Sequence, residues 1–341
     1  MPPEVLAAMQ DAARYHIELD EMQKRVGAKI AELTHNEACY VSTGAAAGIT
    51  LAAAACMTGK NPAYMQQLPD TTGLPKYEFI VHKSHRNGYD HAIRASGGKV
   101  VEIGSAVTTH RWELEHAINT HTAAIFWFQG AMTGHGDLSI ETVIEVANAR
   151  GVPVIVDAAA QLPPVENLWK FTKIGAAMAI FSGGKDLRGP QATGLCLGRR
   201  ELVEAMAMNG SPNHSVGRAM KVGKEEMGGA LAAVERYLKL DHAGRRMRDE
   251  RVVAQWNSVL CAIPGVCAER SFPNEAGQPL PRTRVIFEAP FNRDDIVRQL
   301  MTGEPAIAVA NGKENDIFLN PMSLEDDEVE IVLNRLLEVL S

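Results

Sequence analysis

Three short stretches carry side chains whose types and spacing suit chemistry on an amine, and Lys185 is the sharpest of them. It ends Ala179-Ile180-Phe181-Ser182-Gly183-Gly184-Lys185, an apolar run that enters a glycine pair. A lysine whose basicity is lowered by desolvation or a nearby cation becomes a nucleophile for an aldehyde. Upstream, Val154-Ile155-Val156 runs straight into Asp157. That puts an acid at the C-terminal end of a β-branched strand, where open α/β sheets bind ligands. An acid there pairs with a cationic heteroatom such as a pyridinium nitrogen, or it caps the next helix, and the segment alone fits both equally. Ser42-Thr43-Gly44-Ala45-Ala46 leads into an Ala-rich run, and a helix N-terminus offers N–H donors and a favourable dipole to a phosphate dianion. Each stretch alone also reads as a simple cap or as a surface lysine after a turn. In the order cup, acid, lysine, with Ser182 as a further phosphate donor, they match pyridoxal 5'-phosphate (PLP).

Other candidates surround this set. His85, in Val81-His82-Lys83-Ser84-His85-Arg86-Asn87, follows a predicted strand between the cup and the acid. An imidazole there could stack on a cofactor ring and assist proton transfer, with His82, Lys83 and Arg86 as competing positions and a solvated loop histidine as the plain alternative. Arg188, Arg282 and Arg284 are candidates for a substrate carboxylate, because a guanidinium pairs with it bidentately. Arg188 follows Lys185 closely, whereas Arg282 or Arg284 would suit a small domain closing over the substrate.

The elements that must position these groups alternate in type. From Pro3 to Leu33 apolar positions recur at helical spacing, from Val5 to Ile30. Short apolar runs at Phe79 to His82, Val100 to Ile103, Ala123 to Phe128, Val152 to Val156, Ala176 to Phe181 and Gly194 to Gly198 are separated by helical segments such as Ile140 to Ala149. Strands split by long crossovers predict an α/β domain with a mostly parallel sheet. A long helix is predicted from Glu225 to about Ile263, broken by Pro264-Gly265. Beyond it, strands at Arg284 to Phe287, Ala306 to Val309 and Ile317 to Leu319, with helices at Arg293 to Leu300 and Asp326 to Leu340, predict a small C-terminal α/β domain. The expected division is a helical segment over 1–35, a large domain over 36–245 and a small one over 246–341.

The bulk properties narrow the partners. At 341 residues and 46% hydrophobic content, the chain can bury a large core. A net charge of −7 supplies no basic field for nucleic acid, apart from the local cluster Arg218 to Lys224. Five cysteines without a CxxC pair suggest neither a disulfide framework nor a zinc site, which fits a reducing cytoplasm. The start lacks the basic and apolar regions of a signal peptide, and the most apolar stretch, Ala45 to Met57, is too short to cross a membrane.

The motifs Val-Asp-Ala-Ala-Ala-Gln at 156–161, Phe-Ser-Gly-Gly-Lys-Asp-Leu-Arg-Gly-Pro-Gln at 181–191 and Gly-Arg-Ala-Met-Lys-Val-Gly-Lys-Glu-Glu at 217–226 carry a resemblance. The sequence resembles fold-type I PLP enzymes (the aspartate aminotransferase-like fold), in the group of selenocysteine synthases and D-glucosaminate-6-phosphate ammonia-lyases. Similarity extends from Pro3 to about Leu337. The resemblance implies Lys185 as the lysine that binds PLP covalently, Asp157 at the ring nitrogen, and Ser182 with Thr43, Gly44 and Ala45 around the phosphate. It further implies His85 stacked on the ring, Gln161 or Gln129 near its O3′ side, and Arg218 near the site, reaching it from a second subunit of a homodimer. The alternative for Arg218, Lys221 and Lys224 is a solvated basic helix start. Proteins of this group begin earlier, with an added segment beside the active site, so this chain is expected either to be trimmed at its start or to belong to a branch without it.

The activity so implied is that of a lyase. It would deprotonate Cα of an amino acid or amino sugar acid and eliminate a β-hydroxyl, giving a 2-oxo acid and ammonia. A racemase or an aldolase shares the first steps. A selenium transferase on seryl-tRNA would require a large RNA surface, which the acidic composition does not suggest. A scaffold without activity is disfavoured by the intact Lys185 and Asp157.

Overall fold

The computed structural model describes residues 1–130 and 136–341 and divides them into two compact units, Met1–Leu240 and Asp241–Ser341. Two helices, α1 (Pro3–Ala13) and α2 (Leu19–Leu33), open the first unit. The helical spacing over Pro3 to Leu33 thus belongs to two helices, because residues 14–18 leave the helical path. There follow β1 (Ala38–Ser42), α3 (Ala45–Thr58), α4 (Pro62–Gln67), β2 (Glu78–His82), α5 (His91–Ala95), β3 (Lys99–Ile103), α6 (Arg111–Ala117), β4 (Thr122–Phe128) and α7 (Ile140–Ala149). Next come β5 (Val154–Asp157), α8 (Asn167–Lys173), β6 (Met178–Ser182), β7 (Gly194–Gly198), α9 (Arg200–Asn209) and α10 (Lys224–Lys239).

The seven strands form one sheet in the order β1-β7-β6-β5-β4-β2-β3. Neighbours from β3 through β6 are parallel, and β7 is antiparallel to both β6 and β1. One strand alone therefore runs against the other six, and the C-terminal ends of those six share an edge. Strands β2, β4 and β5 are buried from end to end, which explains why their sequences are continuous apolar runs rather than alternating ones. Each face of the sheet carries its own core. On one, Val26 and Ile30 of α2, Val143 and Ala147 of α7, and Met227 and Val234 of α10 pack with Val154 and Val156. On the other, the Ala-rich α3 lies with Met206 of α9 over Ile155 and Ile180. Alanines are needed there because the helix approaches closely: a Cβ on Gly48 would lie 2.7 Å from the Cys196 sulfur.

The second unit starts at α11 (His242–Leu260) and continues with β8 (Val266–Ser271), β9 (Arg282–Phe287), α12 (Arg293–Thr302), β10 (Ala310–Asn311), β11 (Asp316–Leu319) and α13 (Asp326–Val339). Its four strands form an antiparallel sheet ordered β10-β11-β9-β8 around a core that includes Trp256, Val285, Ile317 and Leu336. Three expectations are corrected here. The helix expected from Glu225 to Ile263 is two helices, with Leu240 extended and Asp241 capping the second by accepting from the Gly244 N–H at 2.9 Å. Ala306 to Val309 is not a strand, the short strand lying at Ala310–Asn311. Strand β8 had no counterpart in the sequence reading, because Val-Cys-Ala-Glu-Arg-Ser is half exposed and lacks an apolar run. Among the described residues no helix is long and apolar enough to cross a membrane.

Candidate functional site

Strand register places the phosphate cup and the lysine turn side by side. Ser42 of β1 and Ser182 of β6 both pair with Gly194 of β7, so the loops leaving β1 and β6 emerge from the same edge. Asp157 pairs with Ile180 on one side and Phe128 on the other, so β5 and β4 deliver Asp157 and Gln129 to that edge too. Strand β2 adds His82 and then His85, which lies in a single 3₁₀ turn. The order along the edge is therefore cup, lysine, acid, glutamine, histidine.

At the cup, Gly44 caps α3 with φ +92 and ψ 160, a backbone state that side-chain-bearing residues avoid. It aims the first turn of α3 outward, and nothing lies within 4 Å of where its Cβ would be. Ser42 turns inward and donates its hydroxyl to the Gly44 carbonyl at 2.9 Å, bracing the loop. The amides of Ala45, Ala46 and Ala47 precede the first intrahelical bond, which runs from Gly48 N–H to the Gly44 carbonyl at 3.1 Å. The hydroxyls of Thr43 and Ser182 make no hydrogen bond with any described residue, so donors without acceptors cluster at this end of β1 and β6.

Lys185 is exposed, and its amine has no ion pair or hydrogen bond among the described residues. Its turn is tightly held: Gly183 N–H donates to Thr193 O at 2.8 Å, Gly189 N–H to Gly183 O at 2.9 Å, and Arg188 N–H to Lys185 O at 2.9 Å. Arg188 is half-buried at φ +53, an unusual state for a residue with a side chain. Asp157 is buried, with Oδ1 accepting from Ala159 N–H at 2.9 Å and no described donor on Oδ2. Burial pushes its carboxyl above the usual carboxylate range, opposed by the Ala159 N–H and the positive field of Lys185. The Ala159 bond is a local cap of the kind first allowed for; the second oxygen is still open to a cationic N–H.

Gln129 and Gln161 brace each other beside the acid. Gln129 N–H donates to Asp157 O at 2.9 Å, Gln129 Oε1 accepts from Trp127 Nε1 at 2.8 Å, and Gln161 Nε2 donates to Gln129 O at 3.2 Å. His85 is fully buried. Its ring stacks on His82 with centroids 4.7 Å apart and meets Trp127 edge-on at 4.5 Å. Its Nε2 lies 3.5 Å from Asp137 Oδ2, and among the described residues the ring nitrogens of both histidines have no hydrogen-bond partner. Desolvation pushes both rings down to about 4, with Asp137 opposing the shift in each. A ring face turned to a cofactor would have to leave this stack.

The basic candidates separate. Arg218 is half-buried in the loop before α10, its N–H donating to Ser215 O at 2.9 Å, and Lys221 is exposed. Lys224 donates to Ala12 O and to Glu225, both at 2.8 Å, which pins α10 to the end of α1. Arg282 belongs to the second unit, where it is 6% exposed, ion-paired with Glu275, and placed 4.4 Å over the Phe318 ring. Arg284 pairs with Asp316 at 2.6 Å and with Glu269 at 3.2 Å. Both small-unit arginines thus already hold carboxylates. Sequence reasoning passed over Trp127, Asp137, Asp186 and Tyr237; the first and last sit in apolar runs that read as core.

The donor set fits PLP: free amides and hydroxyls for a phosphate, an open buried carboxylate for a pyridinium N–H, and a free amine for an aldehyde. Comparison with known proteins points the same way. A family model described as "SelA: L-seryl-tRNA selenium transferase" matches residues 89–262. A D-glucosaminate-6-phosphate ammonia lyase of Salmonella typhimurium is 33% identical over 99% of this chain and 90% of its own length. A 5'-C-glycyluridine monooxygenase-decarboxylase of a Streptomyces species is 31% identical over 98% of this chain and 85% of its own. A solved structure of a D-glucosaminate-6-phosphate ammonia-lyase superposes with a TM-score of 0.87 at 32% identity, covering 100% of this chain and 91% of that one.

Proposed function

The chain belongs to the SelA (L-seryl-tRNA selenium transferase) family of fold-type I PLP enzymes, and on that premise we propose that it is a PLP-dependent ammonia-lyase acting on an amino sugar acid or a β-hydroxy amino acid. The observation that carries the reading is the shared sheet edge, where strand register brings Ser42, Ser182 and Asp157 together with the turn that bears Lys185. We further propose a cytoplasmic homodimer in which Arg218 of one protomer approaches the site of the other. Over 99% of the chain the lyase is 33% identical, whereas a selenium transferase matched over the same share is 22% identical, which favours the lyase reading.

Bound PLP would supply an aldehyde for a primary amine and a ring that stabilises the electron pair left on Cα. The chain's own groups do the rest. The amides of Ala45 to Ala47, with Thr43 and Ser182, would hold the phosphate at the positive end of α3. Asp157 would hold the ring nitrogen, a task suited to a buried carboxylate with one open oxygen. Gln129 and Gln161 would border the O3′ side. Lys185 would hold the cofactor at rest, and its Nζ is the base for the Cα proton of the substrate. Departure of the β-hydroxyl requires a proton, which the lysine ammonium so formed can return. Water lost in the elimination is regained on hydrolysis, so the net products are a 2-oxo acid and ammonia. Arg188 is proposed for the substrate carboxylate, with Arg282 reaching it only if it releases Glu275.

The test is a panel of amino sugar acids, their 6-phosphates and β-hydroxy amino acids, read by 2-oxo acid and ammonia release. A glycyl nucleoside, followed by oxygen uptake and carbon dioxide release, covers the chemistry named for the Streptomyces relative. Equimolar 2-oxo acid and ammonia from one substrate supports the lyase; oxygen-dependent decarboxylation alone, or racemisation or aldol cleavage of the panel, would replace it.

A further inference from the structure

Strand β7 lies between the two halves of the proposed cofactor cradle. Gly194 at its start pairs with Ser42 of β1 on one side and with Ser182 of β6 on the other. The residue before it, Thr193, is buried and holds the lysine turn. Its carbonyl accepts from the Gly183 N–H at 2.8 Å, and its hydroxyl donates to Pro190 O at 2.6 Å. Both ends of the turn that bears Lys185 are therefore fastened to one residue. A Cβ on Gly183 would lie 2.0 Å from Thr193 Oγ1, so the turn packs directly on it. Gly194 lies against the cup instead. A Cβ there would be 2.6 Å from the Gly44 carbonyl carbon, 2.8 Å from the Ala45 nitrogen and 2.7 Å from Ser42 Oγ. Two of those neighbours are backbone, so a side chain at 194 has to displace the start of α3. Ser42 Oγ, 2.9 Å from Gly44 O and 3.4 Å from Gly194 O, holds the cup against this bare backbone.

We infer that Gly194, clamped by Ser42, is a positioning residue that fixes the phosphate cup relative to the lysine turn and thereby selects the phosphorylated form of the cofactor. The inference rests on the PLP reading above. A ligand tied at one end by its phosphate and at the other by its aldehyde gains affinity only when both anchors are already in place. Pyridoxal, which has no phosphate, needs the lysine turn alone. The two anchors are separable by mutation: Gly194→Ala and Ser42→Ala disturb the cup, and Thr193→Val disturbs the turn.

The full chain and each variant are titrated with PLP and, separately, with pyridoxal, then reduced with borohydride. The adduct on the Lys185 peptide is quantified by mass spectrometry, and near-ultraviolet circular dichroism establishes that each variant is folded. Gly194→Ala should raise the half-saturating PLP concentration about tenfold or more, the worth of one hydrogen bond to a charged group, and leave that of pyridoxal in place. Ser42→Ala should change the two in the same sense. Thr193→Val should weaken both aldehydes by a common factor and keep their ratio. A PLP-to-pyridoxal ratio unchanged in folded Gly194→Ala would overturn the inference, including the case in which both aldehydes weaken equally. Where Gly194→Ala does not fold, an unchanged ratio in Ser42→Ala overturns it. Wild type without an adduct on Lys185 from either aldehyde would sink the PLP reading itself, which keeps the two failures distinct.

Discussion

The stacked pair His82 and His85 makes a quantitative demand on the pH dependence of stability. His82 has no exposed surface, both its ring nitrogens lack partners among the described residues, and desolvation, followed by the neighbouring His85, pushes it down to about 4. Asp137 is the acidic group that opposes the shift, while Trp127 faces both rings without charge. The unfolded chain takes up this proton near the ordinary value of 6.5, the folded chain only near 4. Above pH 6.5 neither state is protonated and no penalty exists; as pH falls below it the unfolded state binds more protons, so the fold loses stability. At pH 5 the loss amounts to about 2 kcal/mol for one such ring. His82→Phe keeps an aromatic face on His85 and removes the titration. Urea unfolding of cofactor-free wild type and variant, followed by tryptophan fluorescence at pH 8 and pH 5, reads the effect. Overpacking by the larger ring shifts the variant equally at both pH values, so only the change in the difference matters. The variant should gain about 2 kcal/mol on wild type between pH 8 and pH 5. A difference that does not change with pH would show that His82 is solvated or hydrogen-bonded, and would refute the dry stack.

Other consequences follow from the same edge. Asp157→Asn removes a buried carboxylate held above its usual range, so the cofactor-free variant should melt higher than wild type at pH 7 while its turnover falls by orders of magnitude; a lower melting temperature with wild-type turnover would make the acid a helix cap only. Gly44→Ala must hold a side-chain residue near φ +92, at a cost of about 1–3 kcal/mol, and should weaken PLP binding in a fluorescence titration, whereas Gly73→Ala, equally at positive φ but off the edge, should cost stability alone. Arg282→Lys should lower the melting temperature, because the buried guanidinium loses its stacking on Phe318 and its pairing with exposed Glu275; if it instead raises KM for substrate with stability unchanged, Arg282 acts on substrate directly.

Much of this edge could be read from the chain because its strands are buried on both faces. Val154 to Val156 has one reading, and an acid directly after it falls at the strand's end whatever the topology. Gly44 before an alanine run likewise marks a helix start. Strand direction was not readable in Gly194 to Gly198, since five small and apolar residues pair either way, and it is this reversed strand that sets Ser42 beside Ser182. Helical periodicity ran through Leu240 and Asp241 because α10 and α11 keep similar apolar spacing across the break. The Asp186 to Tyr237 bond joins residues 51 positions apart, and Tyr237 alone looks like any aromatic on a buried helix face. His82 and His85 read as loop and strand-end residues; only packing shows that Trp127 and the strand edge seal both.

The central claim is that Lys185 carries the cofactor, and one measurement addresses it directly. The chain is incubated with PLP, reduced with borohydride, digested, and mapped by mass spectrometry, with Lys185→Ala in parallel. The account predicts a single reduced pyridoxyl adduct on the peptide containing Lys185, and in the variant neither adduct nor turnover. An adduct on Lys83, Lys221 or Lys224 instead, or none in wild type, would contradict it.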